Sequence, residues 1–204
     1  MRRSAAGPEA RWASASAVAD GIKDVGVEAT VRFYFQAVFP ATMLAALCAG
    51  MALAASGAVS AVGIHLSGLT LGLYLAAVGV LAVGVLYGWL RIMPKVQPLR
   101  ALVTSELGPA AARHVRRQIL GIEAVDPAAL GVLRGAAAQM RERTARRLVT
   151  TPGLSLYFAA LAVDGDPWRV SNTLSLLLFV ATIPLGDQAF RQFSRTGKFL
   201  RETA

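Results

Sequence analysis

The stretch from Phe33 to Leu90 reads FYFQAVFPATMLAALCAGMALAASGAVSAVGIHLSGLTLGLYLAAVGVLAVGVLYGWL. These 58 consecutive residues contain no Asp, Glu, Lys or Arg, and His65 is the sole ionisable side chain besides Cys48 and the tyrosines. A helix that crosses a bilayer needs about 20 apolar residues. The stretch therefore accommodates two crossings and a short turn, and is too long for the buried helix pair of a soluble domain. The first span is expected over Phe33–Ser56, the turn over Gly57–Ser67 and the second span over Gly68–Leu90. Tyr34 and Phe35 at the first entrance, with Tyr87 and Trp89 at the second exit, fall where aromatic rings favour the membrane interface.

Composition agrees with this reading. Of 204 residues, 55% are apolar and 16% charged, whereas soluble domains carry nearer a quarter charged residues. Beyond the first hairpin come a basic segment, Arg91–Arg147, and two shorter apolar runs, Leu148–Val163 and Val170–Gly186. Runs of 16 and 17 residues lie at the short edge of what crosses a hydrocarbon core of about 30 Å. Thr150-Thr151-Pro152 has the form of a helix start, which would leave only about a dozen residues before Asp164, below the spanning range. A helix that begins earlier and kinks at Pro152 restores the length, and is preferred to a thinned bilayer or a re-entrant hairpin. Ser171 and Asn172 are expected to cap the fourth span, with Pro184 bending it near its inner end.

Charge sets the orientation. The arm before Phe33 carries 5 Lys and Arg residues, the central segment 11 and the tail after Gly186 4, so 20 of the 21 basic residues lie in these three pieces. Basic loops resist translocation, which keeps all three in the cytoplasm and requires an even number of spans. The expectation is thus an all-α polytopic membrane protein of about four spans arranged as two hairpins, with a small helical cytoplasmic lobe. Residues 1–32 form an amphipathic cytoplasmic arm, 33–90 the first hairpin, 91–147 a basic helical loop, 148–186 the second hairpin and 187–204 a basic amphipathic tail. Abundant Ala, Arg, Gly and Val suggest a high-GC bacterium and hence the plasma (inner) membrane. Ala52-Leu53-Ala54 has the small-x-small form of a cleavage site. However, 32 residues precede the apolar run, and the run exceeds a signal core of about 7–15 residues, so it is read as a retained span. The lone Cys48 is read as a small buried hydrophobe.

In lipid, helices associate through close backbone approach and dispersion rather than apolar burial. Gly68, Gly72, Ala76 and Gly79 fall in one narrow stripe of the second span. On the first span Thr42, Ala46, Ala49 and Gly50 form a comparable small face. A tight hairpin built on these faces leaves Gly84 and Gly88, nearly opposite, open to another helix or another protein.

The cytoplasmic pieces have their own punctuation. Pro94 and Pro98 interrupt any continuation of the second span. Gly108-Pro109 and Gly121 bracket a helix with Val115, Ile119 and Ile122 on one face and Arg113, Arg116 and Arg117 away from it. Asp126-Pro127 starts another, with Leu130, Leu133, Ala137 and Met140 at helical spacing and an ending in Arg141, Arg143, Arg146 and Arg147. In the arm, Trp12, Ala15, Ala19 and Ile22 share a face. In the tail, Phe190, Phe193 and Leu200 share a side, with Arg191, Arg195 and Lys198 turned away. Basic helices with aromatic anchors lie in the headgroup zone, and each juxtamembrane Arg gains about 1 kcal/mol near an anionic surface. Arg143, Arg146, Arg147, Arg191 and Arg195 are therefore the expected contacts to anionic lipid headgroups.

The chemistry is spare. The sequence contains no phosphate-binding glycine loop and no Gly-x-Ser-x-Gly elbow. His65 and His114 fall on opposite sides of the expected membrane and cannot share a metal, and the isolated pair Asp164 and Asp166 reads as a turn. No charge lies within the spans, where transporters usually keep one. The basic segments lie where topology already demands them, which argues against nucleic-acid binding despite a pI near 10.8. The expected function is a non-enzymatic membrane subunit or accessory protein, with no cofactor or metal, that packs with a partner membrane protein or with itself. A homo-oligomeric channel or small-molecule transporter is the alternative, ahead of a membrane-embedded enzyme.

Overall fold

The computed structural model describes residues 7–57, 61, 67–97, 102–163 and 170–203. They are nearly all helical. The helices are α1 (Pro8–Ala19), α2 (Val27–Ala55), α3 (Gly68–Lys95), α4 (Val103–Glu106), α5 (Pro109–Ile119), α6 (Leu130–Val163) and α7 (Val170–Thr203). Two short strands, β1 (Lys23–Asp24) and β2 (Val96–Gln97), pair antiparallel, Lys23 opposite Gln97 and Asp24 opposite Val96. His65, Pro98 and the turn containing Asp164 and Asp166 lie outside the described residues.

Three helices are long and apolar enough to cross a membrane: Val27–Ala55, Gly68–Lys95 and Asn172–Thr203. The expected third span, Leu148–Val163, is helical, but its uncharged part is 16 residues long and directly follows Arg146 and Arg147. Neither the arginine cluster nor Pro152 ends a helix; α6 runs unbroken for 34 residues. Proline deprives one carbonyl of its donor, four residues back. In the same turn Thr150 Oγ1 donates to the Arg146 carbonyl at 3.1 Å and Thr151 Oγ1 to that of Arg147 at 2.7 Å, neighbours of the Leu148 carbonyl that loses its donor. The expected fourth span and the tail are likewise one helix, with Pro184 inside it and Asn172 within its first turn rather than capping it.

The chain forms two compact units: Met1–Glu28 with Ile92–Ala145 and Phe190–Ala204, and Ala29–Arg91 with Arg146–Ala189. The first is a lobe whose buried apolar side chains include Ala15, Ala19 and Ile22 from the arm, Val115 and Ile119 from α5, Leu133 and Ala137 from α6, and Phe193 and Phe199 from α7. Gly108 precedes α5, Pro109 opens it, and Gly121 leaves it at φ +71°. Asp126 Oδ1 accepts from the Ala128 N–H at 2.9 Å and starts the turn into α6. Two positions depart from the expected faces. Ile122 is exposed, because Gly121 has already turned the chain away from α5. Phe190 is exposed while Phe199 is buried, so the tail turns a different side inward.

The centre of the lobe is ionic. Arg141 reaches Asp24 Oδ2 with Nη1 at 2.6 Å and Glu28 Oε2 with Nη2 at 2.8 Å, and its guanidinium lies 4.7 Å from the centroid of the Phe193 ring. The Arg141 and Asp24 side chains are 8% and 9% exposed. Asp24 also caps α2, its Oδ1 accepting from the Val27 N–H at 2.9 Å. Arg201 joins from the edge, 3.1 Å from Glu28 and 64% exposed. Residue 197 is glycine where the guanidinium passes: a Cβ there would sit 2.8 Å from Arg141 Nη2.

Removing one partner of a buried ion pair costs about 3–5 kcal/mol, because the other charge is stranded, whereas an exposed pair is worth about 0–1 kcal/mol. Arg141→Met is expected to lower stability by roughly 3 kcal/mol and Arg201→Ala by less than about 1 kcal/mol. Both are measurable by denaturation of the purified chain; equal losses would contradict the assigned roles.

Candidate functional site: glycine crossings and the arginine end of the bundle

The second unit is built on backbone approach. A Cβ on Gly50 of α2 would lie 2.3 Å from the Cα of Gly72 on α3, so the two backbones cross with nothing between them. On either side of this crossing, Gly68 faces Ala54 and Met51, Gly72 faces Leu47, and Gly79 faces the Thr42 methyl. Ala76 is fully buried and Ala46 half-buried. A Cβ on Gly50 would force the axes apart, whereas one on Gly72 would meet Leu47 at 3.2–3.4 Å, a tight contact that a few tenths of an ångström would relieve. Cys48, by contrast, is exposed on α2 and is not a core residue.

The opposite face of α3 is occupied by α6 of the same chain. A Cβ on Gly84 would lie 2.4 Å from the Val149 carbonyl oxygen, and one on Gly88 3.3 Å from Cγ of Arg146. In return, a Cβ on Gly153 of α6 would come within 2.6 Å of the Leu81 backbone nitrogen. The glycine pair expected to receive another helix or another protein thus receives a helix of the same chain, and Gly153 completes the contact. Sequence reasoning passed over Gly153 because it follows Pro152, where a helix start was expected.

Hydroxyls add to these contacts. Tyr34 is fully buried and donates to the Val149 carbonyl at 2.9 Å. Its ring lies 5.2 Å from that of Tyr87, whose hydroxyl donates to the Thr30 carbonyl at 2.9 Å. Tyr34 opens a π turn, Tyr34–Val38, and Tyr87 directly precedes another, Gly88–Ile92. Such wide turns rotate the residues beyond them relative to a regular helix. Ser155 Oγ donates to Thr182 Oγ1 at 2.8 Å, joining α6 to α7, and Thr182 donates in turn to the Phe179 carbonyl at 2.6 Å. The scattered polar residues of the apolar segments thus include helix-to-helix bonds.

The five expected headgroup arginines divide between the units. Arg146 is half-buried against Gly88 and Arg147 is exposed, both in the bundle; Arg143, Arg191 and Arg195 are exposed on the lobe. Arg141, which the sequence grouped with them, is the buried ion-pair residue. His114 is tied up on the lobe: Nδ1 lies 2.5 Å from Glu123 Oε2, and Nε2 2.7 Å from Gln118 Nε2. Among the described residues no group of three His, Cys, Asp or Glu side chains could hold a metal ion. No protein-family model, no curated protein and no solved structure matches this chain.

The close approaches separate two glycines that look alike in sequence. Gly50→Ala must part α2 from α3, an overpacking cost of about 1–3 kcal/mol or more. Gly79→Ala meets the Thr42 methyl at an ordinary 3.6 Å and should be nearly neutral. Thermal unfolding in one detergent compares them, and a Gly79 variant as damaged as the Gly50 variant would contradict the assigned crossing.

Proposed function

We propose that the chain is a multi-pass protein of the plasma (inner) membrane with four spans and both ends in the cytoplasm. It serves there as a non-enzymatic subunit or accessory protein that packs with a partner membrane protein or with itself. The observation that carries the membrane part is an inverted distribution of side-chain size. Between Gly68 and Tyr87 of α3 the buried residues are Thr70, Gly72, Ala76, Ala77, Val80 and Gly84, while Leu69, Val78, Val85 and Leu86 are exposed, as are Trp89 and Leu90 just beyond. On α7 the buried positions within the bundle are Asn172, Ser175, Thr182 and Ala189, while Leu174, Leu177, Leu178, Ile183 and Leu185 face outward. Water would penalise such an exterior by about 1.5–3 kcal/mol for each large side chain left uncovered; hydrocarbon does not.

Four spans, rather than the three that length alone supports, follow from charge. The basic arm, central segment and tail can share the cytoplasm only if the short apolar end of α6 also crosses. Its continuity with the preceding turns lets Arg146 and Arg147 lie at the interface with their stems in the apolar layer. The accessory role rests on what the bundle offers outward. Its glycine faces are filled by its own helices, so a partner in the bilayer would meet the aliphatic side of α7 around Leu174, Leu177 and Leu185.

Two measurements test this reading. The polypeptide should stay with membranes through an alkaline carbonate wash, and a reporter fused after Ala204 should be cytoplasmic; release or a periplasmic reporter would overturn the topology. Gentle extraction followed by mass determination should give a particle heavier than one chain and its detergent. A lone monomer in every mild detergent would remove the accessory role.

A further inference from the structure

The lobe holds a groove of about 910 Å³ between α1 and α6, a size within the range of about 300–1,000 Å³ common to small-molecule sites. The two helices touch at Ala19 and Gly135, where a Cβ on the glycine would lie 2.8 Å from that of the alanine. Beside this contact Ala13, Ser16, Ala17 and Asp20 line one wall, and their spacing puts them on a single face of α1. Gly131, Arg134 and Ala138 line the second wall from one face of α6, and α7 adds Leu200. Gly21, at φ +74°, turns the chain out of α1 into β1, so that Lys23 also borders the groove.

The charges of the groove are not all engaged. Asp24 is held by Arg141 at 2.6 Å and by the Val27 N–H at 2.9 Å. Asp20 and Arg134 carry opposite charges, and each already has a partner. Lys23 is exposed, and among the described residues its ammonium group has no ion-pair or hydrogen-bonding partner. The remaining charge is therefore positive. The walls beside it are mostly alanine and glycine, which leave room for a flat or extended apolar body. A Cβ on Gly131 would meet nothing within 4 Å; the space there is groove, not protein.

We propose that this groove binds an amphiphilic organic carboxylate. Its carboxylate pairs with the Lys23 ammonium, and its apolar body lies between the small-residue walls of α1 and α6. The ammonium gains the charged acceptor it lacks, and the ligand's apolar surface leaves water. The site lies in the lobe alone and does not depend on the membrane reading.

Native mass spectrometry of the full chain in mild detergent tests it, with pyrenebutyrate as the probe. Pyrenebutanol is the neutral analogue and pyrenebutylamine the cationic one. Pyrenebutyrate should be retained over both. Lys23→Gln should weaken its retention about tenfold. Lys198→Gln, exposed on α7 and outside the groove, should leave it unchanged. Gly131→Leu keeps every charge and fills the groove, so it should weaken retention at least as much as Lys23→Gln while leaving thermal stability intact. If that variant does not fold, Ala13→Leu fills the groove from the other wall and should act in the same way.

Equal retention of acid and alcohol, or a Lys198 effect as large as that of Lys23, would overturn the assigned ion pair. Preference for the amine would assign the groove to a cation and overturn the carboxylate. A folded, groove-filling variant that retains the probe as the unaltered chain does would place binding elsewhere and overturn the site.

Discussion

Helix α3 is approached on two nearly opposite sides by other backbones, and the bundle depends on that double approach. At Gly50 and Gly72 two helices cross with no side chain between them, and at Gly84 the carbonyl of Val149 fills the space a Cβ would take. Dispersion falls off steeply with separation, so helices gain most from one another where their backbones are closest. Most large side chains of α3 then lie off these two contact lines, Val80 being a buried exception. The small positions and the outward leucines and valines are thus two consequences of one constraint.

Polar groups in the bundle follow the same logic. A hydroxyl in an apolar surrounding must find an acceptor, and the acceptors available are helix carbonyls and other hydroxyls. Tyr34 reaches Val149, Tyr87 reaches Thr30, and Ser155 reaches Thr182. Each joins two helices where glycine or a small residue has already brought them close. The lobe solves its cohesion differently, through Arg141 held by two carboxylates and an aromatic face. Such a cluster contributes little net stability compared with an apolar core, but breaking it strands a charge. It therefore ties the start of α2 and the lobe ends of α6 and α7 to one arrangement.

Much of this was legible in the residues. The charge-free stretch from Phe33 to Leu90 announced two long helices because span length and absence of charge are local properties. The stripe of Gly68, Gly72, Ala76 and Gly79 was legible because helical periodicity is local too. Arg141 was not. It stands among four arginines within seven residues, and what separates it from Arg143 is Asp24 and Glu28, more than a hundred positions upstream. Exposure of Ile122 and Phe190 escaped for a related reason. Periodicity tells which residues share a face, whereas which face turns inward depends on what else is packed there. The continuity of α6 and α7 was obscured by reading each change from charged to apolar residues as a boundary, when one helix can pass through both kinds of surroundings.

The seam of α7 adds an argument that length and hydropathy do not supply. Within the bundle its buried or half-buried positions are Asn172, Ser175, Phe179, Thr182, Gly186 and Ala189, alternating three and four apart, so one narrow stripe faces the other helices. A helix folding in water would place leucine on that stripe and polar residues elsewhere. Here the leucines occupy the outside, and the stripe holds an amide, two hydroxyls, two small residues and one aromatic ring, Phe179. The arrangement is unfavourable if water surrounds the helix. It is favourable if the surroundings are as apolar as leucine, because polar and small residues then make the contacts that lipid cannot. Which side of this helix is covered therefore supports the proposal of an apolar medium around it.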